Sequence, residues 1–210
     1  MSLDIHWIGH ASFRISAQDR VVYIDPWKLP APQPDADLVF VSHGHFDHWS
    51  ADDVAAVSRQ STAVFGPADV VESLPSGRLL RPGERIEIAG MCIEGVPAYN
   101  LDKDFHPKAN DWLGAVITLG GARIYYAGDT DLVPEMSALS EVDVALLPVG
   151  GTFTMTATQA AEACQAIGPK TALPYHWGDI VGTEADAQAF VDATAGCDAR
   201  LVRPGDTISV

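Results

Sequence analysis

Long apolar runs are missing from this 210-residue sequence. No stretch approaches the ~18 consecutive apolar residues of a membrane span, so no membrane role is expected. Cysteine is scarce too: Cys92, Cys164 and Cys197 are odd in number, far apart and without a C-x-x-C pair. That pattern excludes both a disulfide framework and a cysteine zinc site, and leaves three reduced, structural thiols. Basic residues are few, 13 Lys and Arg against 28 Asp and Glu, for a formal net charge of -15. A nucleic-acid partner is therefore disfavoured, because such binding draws on Lys and Arg neutralising phosphates. A start of Met1-Ser2-Leu3-Asp4-Ile5-His6-Trp7-Ile8 has neither a basic leader nor a small-residue cleavage site, so a cytoplasmic protein is expected. There is no G-x-S-x-G elbow, no G-x-G-x-x-G and no Walker loop, which removes serine-nucleophile and nucleotide-cofactor chemistry.

What is present is ordinary globular material, 47% hydrophobic and 20% charged, with no break in composition, so a single domain over 1–210 is expected. Val21–Ile24, Leu38–Val41, Ile86–Ile88, Ala115–Leu119, Arg123–Ala127 and Val144–Val149 are rich in β-branched or aromatic residues and read as strands. Ser50 with Asp53, Thr156 with Gln159 and Thr183 with Asp186 have capping-box spacing and start helices; Gly168-Pro169 and Gly196 stop the last two.

The sequence also echoes itself. Arg78–Ile88 (RLLRPGERIEI) and Arg200–Val210 (RLVRPGDTISV) match at six of eleven positions. Two more pairs follow in the same order: Arg20–Pro26 with Arg123–Thr130, and Asp35–His43 with Glu141–Val149. R-P-G-E/D could recur merely as a good turn. The ordered set instead favours two similar β-then-α halves, roughly 1–110 and 111–210. Each would have a sheet covered by helices on one face, the two stacking into a four-layer αββα sandwich of the α/β (α+β) class. Loops from both halves then share one edge.

On that edge chemistry is dense. After Leu38–Val41 comes Ser42-His43-Gly44-His45-Phe46-Asp47-His48, three of the chain's seven histidines and a carboxylate within six positions. Imidazole and carboxylate suit zinc, iron, manganese or nickel better than calcium or magnesium. H-x-H-x-D-H after a strand resembles the signature of the metallo-β-lactamase fold superfamily, and the resemblance runs from Trp7 to the last strand. Gly128-Asp129-Thr130 is similar to its G-D motif, and Tyr175-His176-Trp177 to its final metal histidine. The resemblance implies one or two divalent metals, zinc foremost, with His43 and His45 on the first, Asp47, His48 and His176 on the second, and Asp129 between.

The chain departs from the pattern at the first metal's third histidine, where Pro97-Ala98-Tyr99-Asn100 replaces P-A-x-H. An amide oxygen is a poorer ligand than imidazole. His106, six residues on in the polar stretch Leu101–Asp111, is a candidate replacement; the alternatives are a pocket acid or an exposed loop histidine. Gly9-His10-Ala11 and Ile24-Asp25-Pro26-Trp27 resemble the branch containing the L-ascorbate-6-phosphate lactonase. That makes His10 a candidate for substrate contact or proton transfer, against a buried strand-end histidine, and Asp25 a group orienting a ligand or loop. Asn100, Tyr99 and Lys108 are candidate substrate contacts; Lys103 and Lys108 could attract an anion or lie on a solvated loop. Tyr99, Trp112, Phe153 and Trp177 could wall a pocket or belong to the core.

The resemblance implies a hydrolase acting on a small ester, lactone or phosphoester. A divalent metal lowers the pKa of bound water from 15.7 to about 7, so hydroxide forms without a dedicated base. Asp47, Asp129 and His10 are the candidate catalytic groups. A metal-binding oxidoreductase and a non-catalytic binding protein with a degenerate site stay open, as does homo-oligomer formation.

Overall fold

Alternation of side chains along the N-terminal strands decides the layering. Along β1 (Leu3–Gly9), β2 (Ser12–Ala17), β3 (Arg20–Ile24) and β4 (Leu38–Phe40), one set of positions enters the large core: Ile5, Trp7, Phe13, Ile15, Val22, Ile24, Leu38 and Phe40. From the opposite face Tyr23 and Val39, with Val64 of the strand that follows, join Val54, Val57 and Val70 in a smaller core under two short helices. A strand buried on both faces has a helical layer outside and another sheet inside. The computed structural model describes residues 2–74 and 76–210. It continues with α1 (Ala51–Val57), β5 (Ala63–Gly66), α2 (Ala68–Val71), β6 (Gly77–Leu79), β7 (Arg85–Ile88), β8 (Met91–Pro97), β9 (Leu113–Leu119) and β10 (Ala122–Tyr126). The remaining elements are β11 (Val144–Pro148), α3 (Ala157–Ile167), β12 (Thr171–Tyr175), α4 (Glu184–Ala193), β13 (Asp198–Ala199) and β14 (Thr207–Ser209).

Two seven-stranded sheets result, ordered β14-β1-β2-β3-β4-β5-β6 and β13-β12-β11-β10-β9-β8-β7. They meet through Phe13, Phe40, Tyr126 and Tyr175, whose rings lie 5.0–6.4 Å apart. Each buried aromatic of this size removes enough apolar surface to contribute ~1.5–3 kcal/mol, so the interface between the sheets dominates stability. This is the expected αββα sandwich.

The two sheets are copies in topology. Antiparallel β1·β2·β3 followed by parallel β3·β4·β5·β6 corresponds to antiparallel β8·β9·β10 followed by parallel β10·β11·β12·β13. Each sheet borrows one antiparallel edge strand from the other half, β14 on β1 and β7 on β8. The echoed R-P-G-E/D segments are the crossings between sheets, and they close alike. Arg81 N–H donates to Glu84 (3.0 Å) and Arg203 N–H to Asp206 (2.8 Å); Gly83 and Gly205, both at positive φ, donate to Gly95 and Trp7 carbonyls. Asp37 and Asp143 likewise accept from the backbone of Val21 and Arg123, at 2.9 and 2.8 Å. The bonds inside the turn follow from its sequence, but the matching long-range bonds of Gly83 and Gly205 and of Asp37 and Asp143 do not. The repeat divides at the Ala89-Gly90 turn between β7 and β8 rather than near residue 110, because the sheet crossing is the end of a unit.

All three helix starts lie where expected. Ser50 accepts from Asp53 N–H, Thr156 and Gln159 form a reciprocal box, and Asp186 accepts from the N–H and hydroxyl of Thr183. Gly168 caps α3 in the left-handed region; α4 ends at Thr194 in extended backbone, two residues before Gly196. All three cysteines are free thiols, and Cys164 on α3 and Cys197 before β13, distant in sequence, bring theirs to 3.0 Å. Among the described residues no helix is long and apolar enough to cross a membrane.

Candidate metal centre

Six of the seven histidines converge at one end of the sandwich. From the first half, His10 follows β1, Asp25 follows β3, and the segment from Ser42 to His48 follows β4. From the second, Asn100 and His106 lie between β8 and β9, Asp129 follows β10 and His176 follows β12. Ligand atoms of His43, His45 and His106 lie within 4.8 Å of one another, as do those of His10, Asp47, His48 and His176, and those of His43, His48 and Asp129. Asp129 sits between the groups: Oδ1 is 3.3 Å from His48 Nε2, and Oδ2 is 3.3 Å from His106 Nε2 and 3.1 Å from His176 Nε2. His43, His48, His106, Asp129 and His176 are all buried.

Buried polar atoms are normally hydrogen-bonded. Here Nε2 of His48, His106 and His176 and Oδ1 of Asp129 are buried, face one another and have no hydrogen-bond partner. An imidazole-carboxylate donor set with its lone pairs turned inward fits a divalent transition metal.

The surroundings hold each ring in place. Asp25, wholly buried, accepts from His48 Nδ1 (2.7 Å), from the N–H and hydroxyl of Ser42 (both 2.6 Å) and from Tyr126 OH (2.6 Å). Ser42 Oγ, having donated to Asp25, accepts from His43 Nδ1 at 2.9 Å. One carboxylate thus orients a histidine of each group through Nδ1, the role expected of it, and leaves Nε2 of each turned toward the cluster. Ser42 and Tyr126 escaped notice in the sequence; each ends or follows a core strand and looks like ordinary filling.

Asn100 is a correction. Its amide is taken up by the protein and it does not line the aperture over the cluster: its Oδ1 accepts from both the backbone N–H (3.0 Å) and Nδ1 of His106 (2.9 Å), while its Nδ2 donates to the Phe153 carbonyl (3.0 Å). The amide holds His106 with Nε2 inward, so His106 takes the position of the missing histidine. The stretch 101–111 is pinned as well, by Leu101 N–H to Asp131 (2.9 Å) and by the Lys103–Asp131 ion pair.

Tyr99 and Lys108 are also corrected. Tyr99 OH donates to Glu135 (2.9 Å), Lys108 donates to Tyr99 OH and Glu135 at 3.1 and 2.9 Å, and neither side chain lines the aperture over the cluster. Lys103 and Lys108 are both neutralised by acids and offer no free anion site. His10 is 2% exposed and its Nε2 lies 3.0 Å from Asp47 Oδ2, in one group with His48 and His176. Trp112 flanks His43 and His45 at 4.9 and 4.8 Å, held by its indole N–H on Asp69 (2.9 Å). Trp177 packs on Trp7 in the core.

The backbone is strained for this purpose. His10, Asp25 and His176 are non-glycine residues at positive φ (48°, 43° and 64°), and His176 N–H donates to the His10 carbonyl at 3.0 Å, joining the halves. Such conformations cost of order 1–3 kcal/mol each and cluster at functional sites. Gly150 gives His176 room: a Cβ there would lie 2.6 Å from the His176 carbonyl.

Burial pushes the imidazole of His43 well below its ordinary range and lowers those of His45 and His10. It pushes the carboxyl of Asp129 up, but the facing His176 and His48 outweigh it and hold Asp129 well below the usual range. Asp47 follows suit: burial raises it and the His10 hydrogen bond with His48 brings it down. Burial also disfavours charge on His48, yet Asp129 and Asp25 raise it well above normal. Neutral His43 and His45 beside ionised Asp47 and Asp129 are what metal binding requires, and the extra proton of His48 is one a cation would displace.

A family profile described as the beta-lactamase superfamily domain matches residues 4–176. Among curated relatives, a "UPF0173 metal-dependent hydrolase" of Methanoregula boonei is 30% identical over 99% of this chain and 98% of its own length. Another, of Methanosphaerula palustris, is 35% identical over 89% of each. Among solved structures, a protein assigned as a metal-dependent hydrolase from Parabacteroides distasonis superposes with TM-score 0.86, 32% identity and coverage of 97% and 94%. Igni18, a metallo hydrolase from Ignicoccus hospitalis, gives TM-score 0.82, 26% identity and coverage of 100% and 99%.

Proposed function

Since the chain belongs to the beta-lactamase superfamily and is a metal-dependent hydrolase, we propose that its centre takes two divalent transition metals, zinc foremost, and hydrolyses a small ester, lactone or phosphoester. His43, His45 and His106 would hold one metal, Asp47, His48 and His176 the other, with Asp129 shared. The observation that supports this best is the set of unpartnered Nε2 atoms of His48, His106 and His176 around Asp129. When bound, such metals supply an acidified water at neutral pH and polarise a substrate oxygen.

The chain's own residues do the rest. Asp47 and Asp129 border the aperture over the cluster with pKa values held low, so their carboxylates stay ionised to face a cation and to accept a hydrogen bond from a water arriving there. His10, hydrogen-bonded to Asp47, keeps that carboxylate turned toward the aperture. Asp25 and Asn100 hold the rings of His48 and His106 still, which spares reorganisation during the reaction.

The test is metal content by plasma mass spectrometry on wild type and His106→Ala, with turnover of lactone, thioester and phosphodiester substrates measured beside it. About two metals per chain, falling toward one in the variant, with metal-dependent turnover, is the expected result. A reconstituted wild type holding no transition metal and turning over nothing would refute it.

A further inference from the structure

Around the aperture the protein does something unusual with its apolar residues. Of the five large hydrophobic side chains that are exposed among the described residues, three, Phe46, Phe105 and Ile180, line this one opening. Phe153 completes the wall, its ring edge-on to Phe105 at 4.7 Å. Phe46, 69% exposed, sits inside the H-G-H-F-D-H segment, where a polar loop has no need of it. These side chains come from four separate loops in both halves of the fold, so chance clustering along the sequence is excluded. Exposed apolar residues scattered singly need no explanation, but a ring of them around a polar centre marks a binding surface.

Charge points the same way. No Lys or Arg lines the aperture. The lysines of the neighbouring loops are neutralised, Lys28 by Asp179 at 2.8 Å, Lys103 by Asp131 and Lys108 by Glu135 at 2.9 Å. With a formal net charge of -15, the protein also repels anions at long range. The cavity, about 210 Å³, lies below the ~300–1,000 Å³ of pockets for drug-sized ligands, so the group it receives is small.

We propose that the substrate is an uncharged carboxylic ester, thioester or lactone whose aryl or short alkyl group sits between Phe46, Phe105, Phe153 and Ile180, and that phosphoesters are disfavoured. This rests on the hydrolase reading above. For an ester, the water oxygen bonds to the acyl carbon as the acyl C–O bond to the alcohol breaks; one water proton goes to the leaving alkoxide and the other to solvent, giving a carboxylate and an alcohol. Asn100 ties the specificity wall to the metal ligands, since its one amide holds both His106 and the backbone of Phe153.

The test compares three substrates with one leaving group on the zinc-loaded protein: 4-nitrophenyl butyrate, the equally long but anionic 4-nitrophenyl hemisuccinate, and 4-nitrophenyl phosphate. The butyrate is expected to lead the other two by roughly tenfold or more in kcat/KM. Phe153→Ala should lower its kcat/KM by roughly tenfold, mainly through KM and with metal content unchanged. Ile180→Lys should narrow the gap to hemisuccinate to about threefold or less. Preference for either anion, or a butyrate rate indifferent to Phe153→Ala, overturns the assignment and leaves a hydrolase standing. Turnover of none of the three would count against the hydrolase reading instead. Binding of 4-fluorobenzyl alcohol, followed by fluorine NMR in wild type and Phe153→Ala, then decides the apolar pocket by itself: weakening in the variant supports it, and equal or absent binding in both overturns it.

Discussion

The two halves repeat each other strand for strand, yet they furnish the centre unequally. The first half supplies His43, His45, Asp47 and His48 from one segment after β4. The segment after the corresponding strand β11 supplies no ligand at all: Gly150 makes room for His176, and Phe153 faces the aperture. The second half instead sends His106, Asp129 and His176 from three separate strand ends. A duplicated scaffold therefore constrains where loops emerge but not what they carry. One copy carries a dense run of imidazoles and a carboxylate, while its counterpart contributes Phe153 to the wall of the aperture.

The sharpest way to break this asymmetry is Asp129→Ala, which removes the carboxylate facing histidines of both groups. Loss of several kcal/mol of metal-dependent stabilisation should reduce turnover by about 10³-fold or more, with both metals depleted by mass spectrometry. Retention of two metals would show that the halves bind independently.

Next come the two orienting groups. Asp25→Ala should weaken metal at both subsites, because Asp25 holds His48 directly and His43 through Ser42, whereas Asn100→Ala should weaken only the His43-His45-His106 subsite. Losses of about 10–100-fold in metal affinity are expected, read by competition with a chelator. A variant Asn100→His tests the same point from the other side: if placement of His106 depends on the amide, the substitution should not restore the usual ligand set.

Stability offers a third comparison. Phe40 packs between the sheets and Val64 under the small outer helices of the first half. Phe40→Ala should cost about 3–5 kcal/mol in urea unfolding, more than Val64→Ala, since the cavity opens where both halves meet. Equal effects would mean that the helical layer of the first half contributes as much as the shared core.

The smallest effect is one of pH on the metal-free chain. Folded His10, His43 and His45 have lowered pKa values and stay neutral, whereas the unfolded chain protonates them below about 6.5. Their contribution is present above that pH and lost as pH falls toward the folded values. His48, raised in the fold, works oppositely, stabilising most below about 6.5. Three groups against one predict a lower melting temperature at pH 5.5 than at pH 7.5, and metal loading should widen the gap.

The sequence alone was enough to mark six of the fourteen strands among the described residues, the three helix starts, the ordered internal echo and the dense H-x-H-x-D-H segment, because strand alternation, capping boxes and contiguous motifs are local patterns. The repeated R-P-G-E/D turn was legible as an echo, but that it carries the chain from one sheet to the other is seen only in the fold. Asp129 and His176 were legible only through order and resemblance, since a single Asp or His after a strand carries little signal. Tertiary structure decided the rest. That Asn100 orients His106 and grips Phe153, that Asp25 serves both subsites, that Tyr99 and Lys108 turn away to Glu135, and that Cys164 meets Cys197 all depend on loops brought together across the fold. Side-chain direction at such loops is set by backbone conformations such as the left-handed His10, Asp25 and His176, which only the surrounding packing can impose.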